Sequence, residues 1–239
     1  MKDSSVLGSF TAALALRDSD THAHCQRVAA YALVLGRRVG LSQDALIILE
    51  HGAFLHDLGK IHVPDRILKK AGPLNDVDWK VMSSHAITGY AMLGSNPTLT
   101  DAAEIVLAHH ERYDGTGYPH RLEAEEIPLG ARVCAVVDCL DSFTCSDSPY
   151  RRSLVFADAC RSIEMLSGSH FDPQVIDAFA SVSPAQWQQV RDAIVPSILG
   201  NLEWQETQRT FRDRIFNGDF DNPREKMVAC FSVIQDQSA

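Results

Sequence analysis

Ala53-Phe54-Leu55-His56-Asp57-Leu58-Gly59-Lys60 ends an apolar helical run with an imidazole and a carboxylate side by side, and a lysine follows three residues after the carboxylate. Both His56 and Asp57 are able to hold a divalent metal. Alone, the pair would say little, because a dipeptide recurs by chance and most His-Asp neighbours form a surface hydrogen bond. Reading outward, His24 lies upstream, and His85, the doublet His109-His110 and Asp138 lie downstream. Five histidines and two aspartates thus stand at the ends or on single faces of expected helices. Transition metals favour this mix of ligands, and two carboxylates with several histidines suit two neighbouring ions better than one.

Composition limits what such a centre could serve. The 239 residues, 45% hydrophobic and 22% charged, can bury a full core as one large domain or one domain with an extension. A formal net charge of −9 excludes coating DNA or RNA, since phosphate polymers need basic stripes, yet a few local cations and metals can still hold a small anion. No apolar run approaches a membrane span, and Met1-Lys2-Asp3-Ser4-Ser5 leads into no signal-peptide pattern, so the chain reads as cytoplasmic. Cys25, Cys134, Cys139, Cys145, Cys160 and Cys230 include no Cys-x-x-Cys and are expected as buried free thiols.

Apolar residues recur at helical spacing over Val6–Leu16 and Val28–Val39, with the polar segment Arg17–His24 between them. Gly40-Leu41-Ser42 supplies a stop and a new N-cap before Ala45–Leu55. Further helices are expected from Trp79 to Leu93, over Thr100–His110, Ala131–Cys145 and Ser153–Leu166, and over Pro173–Val182. Asp114–Gly130 reads as a long ordered loop, and such loops are often functional. The class is all-α. After Ser183 the composition turns to Gln, Trp and charge, which reads as one or two helices packed on the domain or forming a dimer contact.

Several residues stand in a recognisable order. These are Arg17-Asp18 with Thr21, His24 and Arg27; His56-Asp57-Leu58-Gly59-Lys60-Ile61 with Val63-Pro64-Asp65; Trp79 and Met82 ahead of His85; and the run His109 to Pro119 that holds Gly117-Tyr118-Pro119. Ile127-Pro128, Ala131-Arg132, Asp138 with Asp141, Pro149-Tyr150-Arg151 and Phe171-Asp172-Pro173 complete the series. Such an ordered set is far more specific than any single motif. From Phe10 to Val182 the chain resembles an HD-GYP domain, the branch of the HD phosphohydrolase superfamily whose members hydrolyse cyclic dinucleotides, chiefly cyclic di-GMP. The resemblance implies an HD-type helical bundle with a long GYP loop over residues 1–182 and a C-terminal helical extension over 183–239. It also implies a phosphodiesterase that opens cyclic di-GMP to linear pGpG, with GMP open as a further product.

By the same resemblance, His24, His56, Asp57 and Asp138 surround one ion, and His85, His109 and His110 share Asp57 around a second, iron or manganese. Asp138 interrupts the apolar run Ala135–Leu140, where an unpaired carboxylate would cost several kcal/mol, so a partner or a metal is expected on residue chemistry alone. Lys60 is expected as a phosphate clamp rather than a solvated lysine, and Arg151 as a second phosphate or guanine contact. Gly117 shapes the loop beside the pocket, and Tyr118 packs that loop or lines the cleft. His22, His51, His62, His120 and His170 fall outside the matching positions. Asp20, four residues before His24, and Asp141, three after Asp138, offer a third ion two further carboxylates; the bland alternative is that Asp20 caps the helix carrying His24.

Arg121 and Ala124 stand where the family has glycines, and Ser148 where an arginine is common, so the metal cage is more standard than the substrate rim. A binding or cyclase-interacting module with little turnover, a phosphodiesterase for another cyclic dinucleotide, and a mononucleotidase are the competing readings. The GYP segment argues against the last of these. A diguanylate cyclase is a further expected partner, and the segment after Ser183 allows a homodimer; no receiver or other sensor domain is read ahead of Val6, which leaves open regulation through the tail or partners and a longer protein of which this is a part.

Overall fold

A computed structural model describes residues 2–145 and 153–194, and every described element is helical. The order is α1 (Lys2–Arg17), α2 (Ser19–Val39), α3 (Gln43–Leu55), a 3₁₀ turn (Leu58–His62), α4 (Asp65–Leu68), α5 (Asp76–Ser83), α6 (His85–Leu93) and α7 (Thr100–Ala108). The long loop follows, and then α8 (Leu129–Thr144), α9 (Phe156–Glu164), α10 (Pro173–Ala180) and α11 (Pro184–Asp192). Pro149, Tyr150, Arg151 and everything beyond residue 194 lie outside the described residues.

Helix α2 is the axle. Cys25, Gln26 and the whole run Val28–Gly36 are buried, and a helix buried on every side must be wrapped by others. Helices α1, α3, α8, α10 and α11 pack around it. The helix also starts earlier than its apolar pattern suggests, since most of the polar segment Arg17–His24 is its first turns. Asp18 explains this: its backbone is extended and its carboxylate accepts from the Asp20 and Thr21 amides. Asp18 is therefore the N-cap, and Asp20 is exposed on the first turn. The run expected from Trp79 to Leu93 divides at Ser84, whose hydroxyl donates back to the Val81 carbonyl at 2.7 Å.

Two contacts carry α3 into the site. A Cβ on Gly59 would lie 2.0 Å from the His85 carbonyl oxygen, so only glycine lets the 3₁₀ turn seat on the start of α6. On its other side, Arg17 donates to the Ile61 and Val63 carbonyls and pairs with Asp65. At the far end α11 is part of the same core, because Trp187 is fully buried, stacked on Phe179 and edge-on to Tyr31. The described part of the segment beyond 182 thus packs on the bundle. Of the described cysteines, Cys25, Cys134 and Cys160 are buried. No helix among the described residues is long and apolar enough to cross a membrane.

Candidate metal centre

His24 comes from α2, His56 and Asp57 from the end of α3, His85 from the first turn of α6, His109 and His110 from the end of α7, and Asp138 from α8. Helix ends meet here, because four of these side chains sit where α3 and α7, packed side by side, run out. Beside Cys25, His56 and Asp57, whose ligand atoms lie within 4.8 Å of one another, two further such groups form: His24, His56 and Asp138, and His85, His109 and His110. Asp57 lies between these two. Its Oδ1 is 3.5 Å from His85 Nε2, while its Oδ2 is 3.4 Å from His56 Nε2 and 3.9 Å from His24 Nε2.

The rings are held from behind. His56, His85 and His109 each place Nδ1 2.7 Å from the carbonyl three residues earlier, of Ala53, Met82 and Val106. A carbonyl only accepts, so Nδ1 carries a proton and Nε2 faces the centre, as a bare lone pair on the neutral His85 and His109 rings. His85 Nε2 and His109 Nε2 then stand 3.3 Å apart, lone pair to lone pair, and His56 Nε2 is buried with no hydrogen-bond partner. Such an arrangement is unfavourable unless a cation sits between the nitrogens, so the donor set fits divalent metals. Cys25 also approaches His56, but at 3.9 Å from Nδ1, behind the ring rather than on its ligating side.

Protonation divides the two groups in the metal-free protein. Burial alone would lower His24, but hydrogen bonds and charges from Asp138 and Asp141 outweigh it and raise the imidazole to about 10. His56, also opposed by burial, is raised by Asp57. Burial would raise both carboxylates, yet Lys60 and His56 hold Asp57 well below the usual range and His24 does the same for Asp138. In the second group burial prevails: His85 and His109 are lowered, and His110 falls to about 3. Those three are neutral and ready to ligate at neutral pH.

Lys60 donates to Asp57 Oδ2 at 2.6 Å and is partly exposed, so its ammonium faces the centre. The third-ion expectation meets a different geometry. Asp141 is fully buried, with Oδ2 2.7 Å from His24 Nδ1, and Arg27 clamps it through Nε at 2.8 Å and Nη2 at 2.9 Å. Neither Asp20 nor Asp141 belongs to a converging group among the described residues. Asp141 thus fixes the His24 ring through its far nitrogen, a carboxylate–histidine arrangement typical of metal sites. Arg27 matched the resemblance without a role, and its clamp on Asp141 supplies one.

The loop after His110 is gathered on Glu111, whose buried carboxylate accepts from the His120, Arg121 and Leu122 amides at 2.6, 3.1 and 3.2 Å. Gly117 has no room for a side chain, since a Cβ would lie 2.3 Å from the Arg112 nitrogen. The Tyr118–Pro119 peptide is cis, and Tyr118 stacks on His110 with ring centroids 4.8 Å apart. Arg121 and Ala124, at φ 58° and 51°, occupy the left-handed region that favours glycine. The departure seen in the sequence therefore falls on two strained positions. Glu111 carries no alternation or spacing signal in the sequence that points to this loop-gathering role.

The HD domain family profile matches residues 9–175. A "Cyclic di-GMP phosphodiesterase" of Thermotoga maritima is 39% identical over 165 residues, which span 68% of this chain and 45% of that protein. The "Cyclic di-GMP phosphodiesterase response regulator RpfG" of Xanthomonas campestris is 37% identical over 191 residues, 79% of this chain and 50% of the other. The chain thus spans about half the length of these relatives. In fold, it is similar to a cyclic GMP-AMP-specific phosphodiesterase of V. cholerae at a TM-score of 0.58 and 18% identity, covering 94% of this chain and 61% of that one. With the His-Asp pair at the end of α3 and the Gly117-Tyr118-Pro119 loop beside its ligands, the chain belongs to the HD domain family, in its HD-GYP branch.

Proposed function

We propose that this chain is a metal-dependent phosphodiesterase that opens cyclic di-GMP to linear pGpG in bacterial second-messenger signalling. The observation that supports this above all is the placement of Asp57, one oxygen toward each ligand group. A carboxylate so placed suits two divalent ions, one held by His24, His56 and Asp138 and the other by His85, His109 and His110. Imidazole with carboxylate suits iron or manganese. Bound there, such ions supply a water of lowered pKa and neutralise phosphoryl oxygens.

Hydrolysis adds a water oxygen to phosphorus, breaks a bond from phosphorus to a ribose O3′ and delivers a proton to that leaving oxygen. Asp57 stays anionic throughout, because its carboxyl is held well below the usual range. Lys60 brings a mobile cation to the edge of the centre and can transfer its hydrogen bond from Asp57 to a phosphate oxygen. Asp141 and Arg27 keep the His24 ring from turning, and Glu111 keeps the loop carrying Tyr118 against His110. These contacts leave little to reorganise when substrate arrives.

A mixed-base substrate is the second reading. It is favoured by a "3'3'-cGAMP-specific phosphodiesterase 2" of Vibrio cholerae, 33% identical over 167 residues, and by the non-glycine residues Arg121 and Ala124 on the loop. Metal analysis of the purified protein, with turnover of cyclic di-GMP and 3'3'-cGAMP, tests both. We expect two bound ions and faster opening of cyclic di-GMP. Asp57→Asn should lower metal content and leave less than a tenth of the activity, since an amide cannot serve two cations with two anionic oxygens. A metal-loaded wild-type protein that opens neither dinucleotide would overturn the reading.

A further inference from the structure

We propose that Trp79 is a nucleobase platform, and that a purine of the substrate stacks on its indole at the mouth of the metal centre. The inference deepens the proposed function and rests on it for the identity of the substrate. Among the described residues Trp79 is the one aromatic in the set of exposed large hydrophobic side chains, with half of its surface open to solvent. An exposed indole is costly to leave in water, and this one lies beside the centre rather than on a remote face. Its ring meets Tyr118 edge to face at 5.8 Å, and Tyr118 in turn stacks on His110.

The order of groups running outward from the centre is metal-ligating imidazole, phenol, indole. In a nucleotide the order is phosphate, ribose, base. A phosphate held at His110 and Lys60 therefore carries its sugar past Tyr118 and its base toward Trp79. Stacking needs a fixed surface, and α5 is well anchored. Asn75 caps its first turn, accepting from the Asp78 amide at 2.8 Å, and the buried Asp78 pairs with Lys70 at 2.5 Å and Arg66 at 3.2 Å. Tyr118 is pinned by the tight approach of Gly117 to Arg112. Because every base has a π-face, such a platform binds purines without reading their edges, which allows guanine and adenine alike.

Two measurements on the full, metal-loaded chain test the platform. The first is discrimination, the ratio of kcat/KM for cyclic di-GMP to that for bis(4-nitrophenyl) phosphate, a diester with no base. Trp79→Ala should cut that ratio about 5- to 150-fold, the loss expected for one stacked base, and Trp79→Phe should restore most of it. The second is the equilibrium Kd for cyclic di-GMP, which Trp79→Ala should weaken by a similar factor. Equal losses on both substrates, or an unchanged Kd, would overturn the platform while leaving the phosphodiesterase reading intact. Binding that depends on Trp79 in a wild-type protein unable to open cyclic di-GMP would sustain the platform and remove the reading beneath it. A wild-type protein that fails to bind cyclic di-GMP removes both.

Discussion

Replacing Asp141 with Asn separates a residue that orients a ligand from one that is a ligand. In the protein as it stands, one carboxylate serves three donors: His24 Nδ1 at 2.7 Å and Arg27 Nε and Nη2 at 2.8 and 2.9 Å. An asparagine has one acceptor oxygen. If that oxygen keeps His24, the amide nitrogen confronts the Arg27 guanidinium donor to donor; if it keeps Arg27, His24 loses its orienting bond. Either way a largely buried Arg27 loses its counter-charge, and breaking a buried pair costs about 3–5 kcal/mol. Arg27 keeps some contact with solvent, and its Nη2 also reaches Cys145 Sγ at 3.3 Å, so the lower end, about 3 kcal/mol, is expected.

The effect on metal follows separately. Loss of the group behind a ligating histidine typically weakens binding about 10- to 100-fold, or about 1.4–2.8 kcal/mol. The assay is calorimetric metal titration of Asp141→Asn beside wild type, with urea unfolding of the metal-free forms. We expect the His24 group to weaken within that range, the His85, His109 and His110 group to hold its affinity, and the stoichiometry at saturation to stay the same. A stoichiometry lower by one ion, with the remaining affinities untouched, would refute the orienting role and restore Asp141 as a ligand.

Lys60→Ala should leave metal content unchanged and slow turnover about 10- to 150-fold, the worth of a charge-assisted hydrogen bond of about 1.5–3 kcal/mol; loss of metal would instead assign Lys60 to supporting Asp57. Gly59→Ala drives a methyl into the His85 carbonyl and should cost about 3 kcal/mol or more, the upper end for overpacking, read as a lower urea midpoint in the metal-free protein; an unchanged midpoint would show that the turn can lift off α6. His24, raised to about 10 from an unfolded value near 6.5, stabilises the metal-free fold fully below pH 6.5, and that contribution is lost as pH rises through 10. The urea midpoint of the metal-free protein should therefore fall across this window. Metal must displace the same proton, and one from the likewise raised His56, so apparent affinity at the His24 group should rise at least about tenfold per pH unit there. Affinity independent of pH would mean that His24 and His56 are already neutral.

Much of the site was legible because its ligands violate their surroundings. Asp138 sits in an apolar run, His56 and Asp57 end one, and His109 and His110 end another, so each announces a partner before any contact is known. The caps were harder to read. Asp18 and Asp20 are equally good N-cap residues by type, and only the extended backbone at Asp18 decides between them. Trp79 was visible as a matching position, but that its indole lies against Tyr118 depends on a fold of the loop gathered by Glu111, a contact between residues far apart in the chain.

Asp141 shows where spacing stops informing. Its position three residues after Asp138 puts both carboxylates on one face of α8, and that much is periodicity. Whether a carboxylate's lone pairs then meet a metal or a donor is set by the helix opposite. The needed signal was present on α2, where His24 and Arg27 are also three residues apart. Two donors at that spacing can face two acceptors at the same spacing across a helix pair: His24 reaches Asp138 with one nitrogen and Asp141 with the other, and Arg27 closes on Asp141 from the next turn. An arginine one turn from a candidate ligand is a poor neighbour for a metal cation and a good one for a carboxylate. Asp141 is therefore read better from Arg27 than from Asp138.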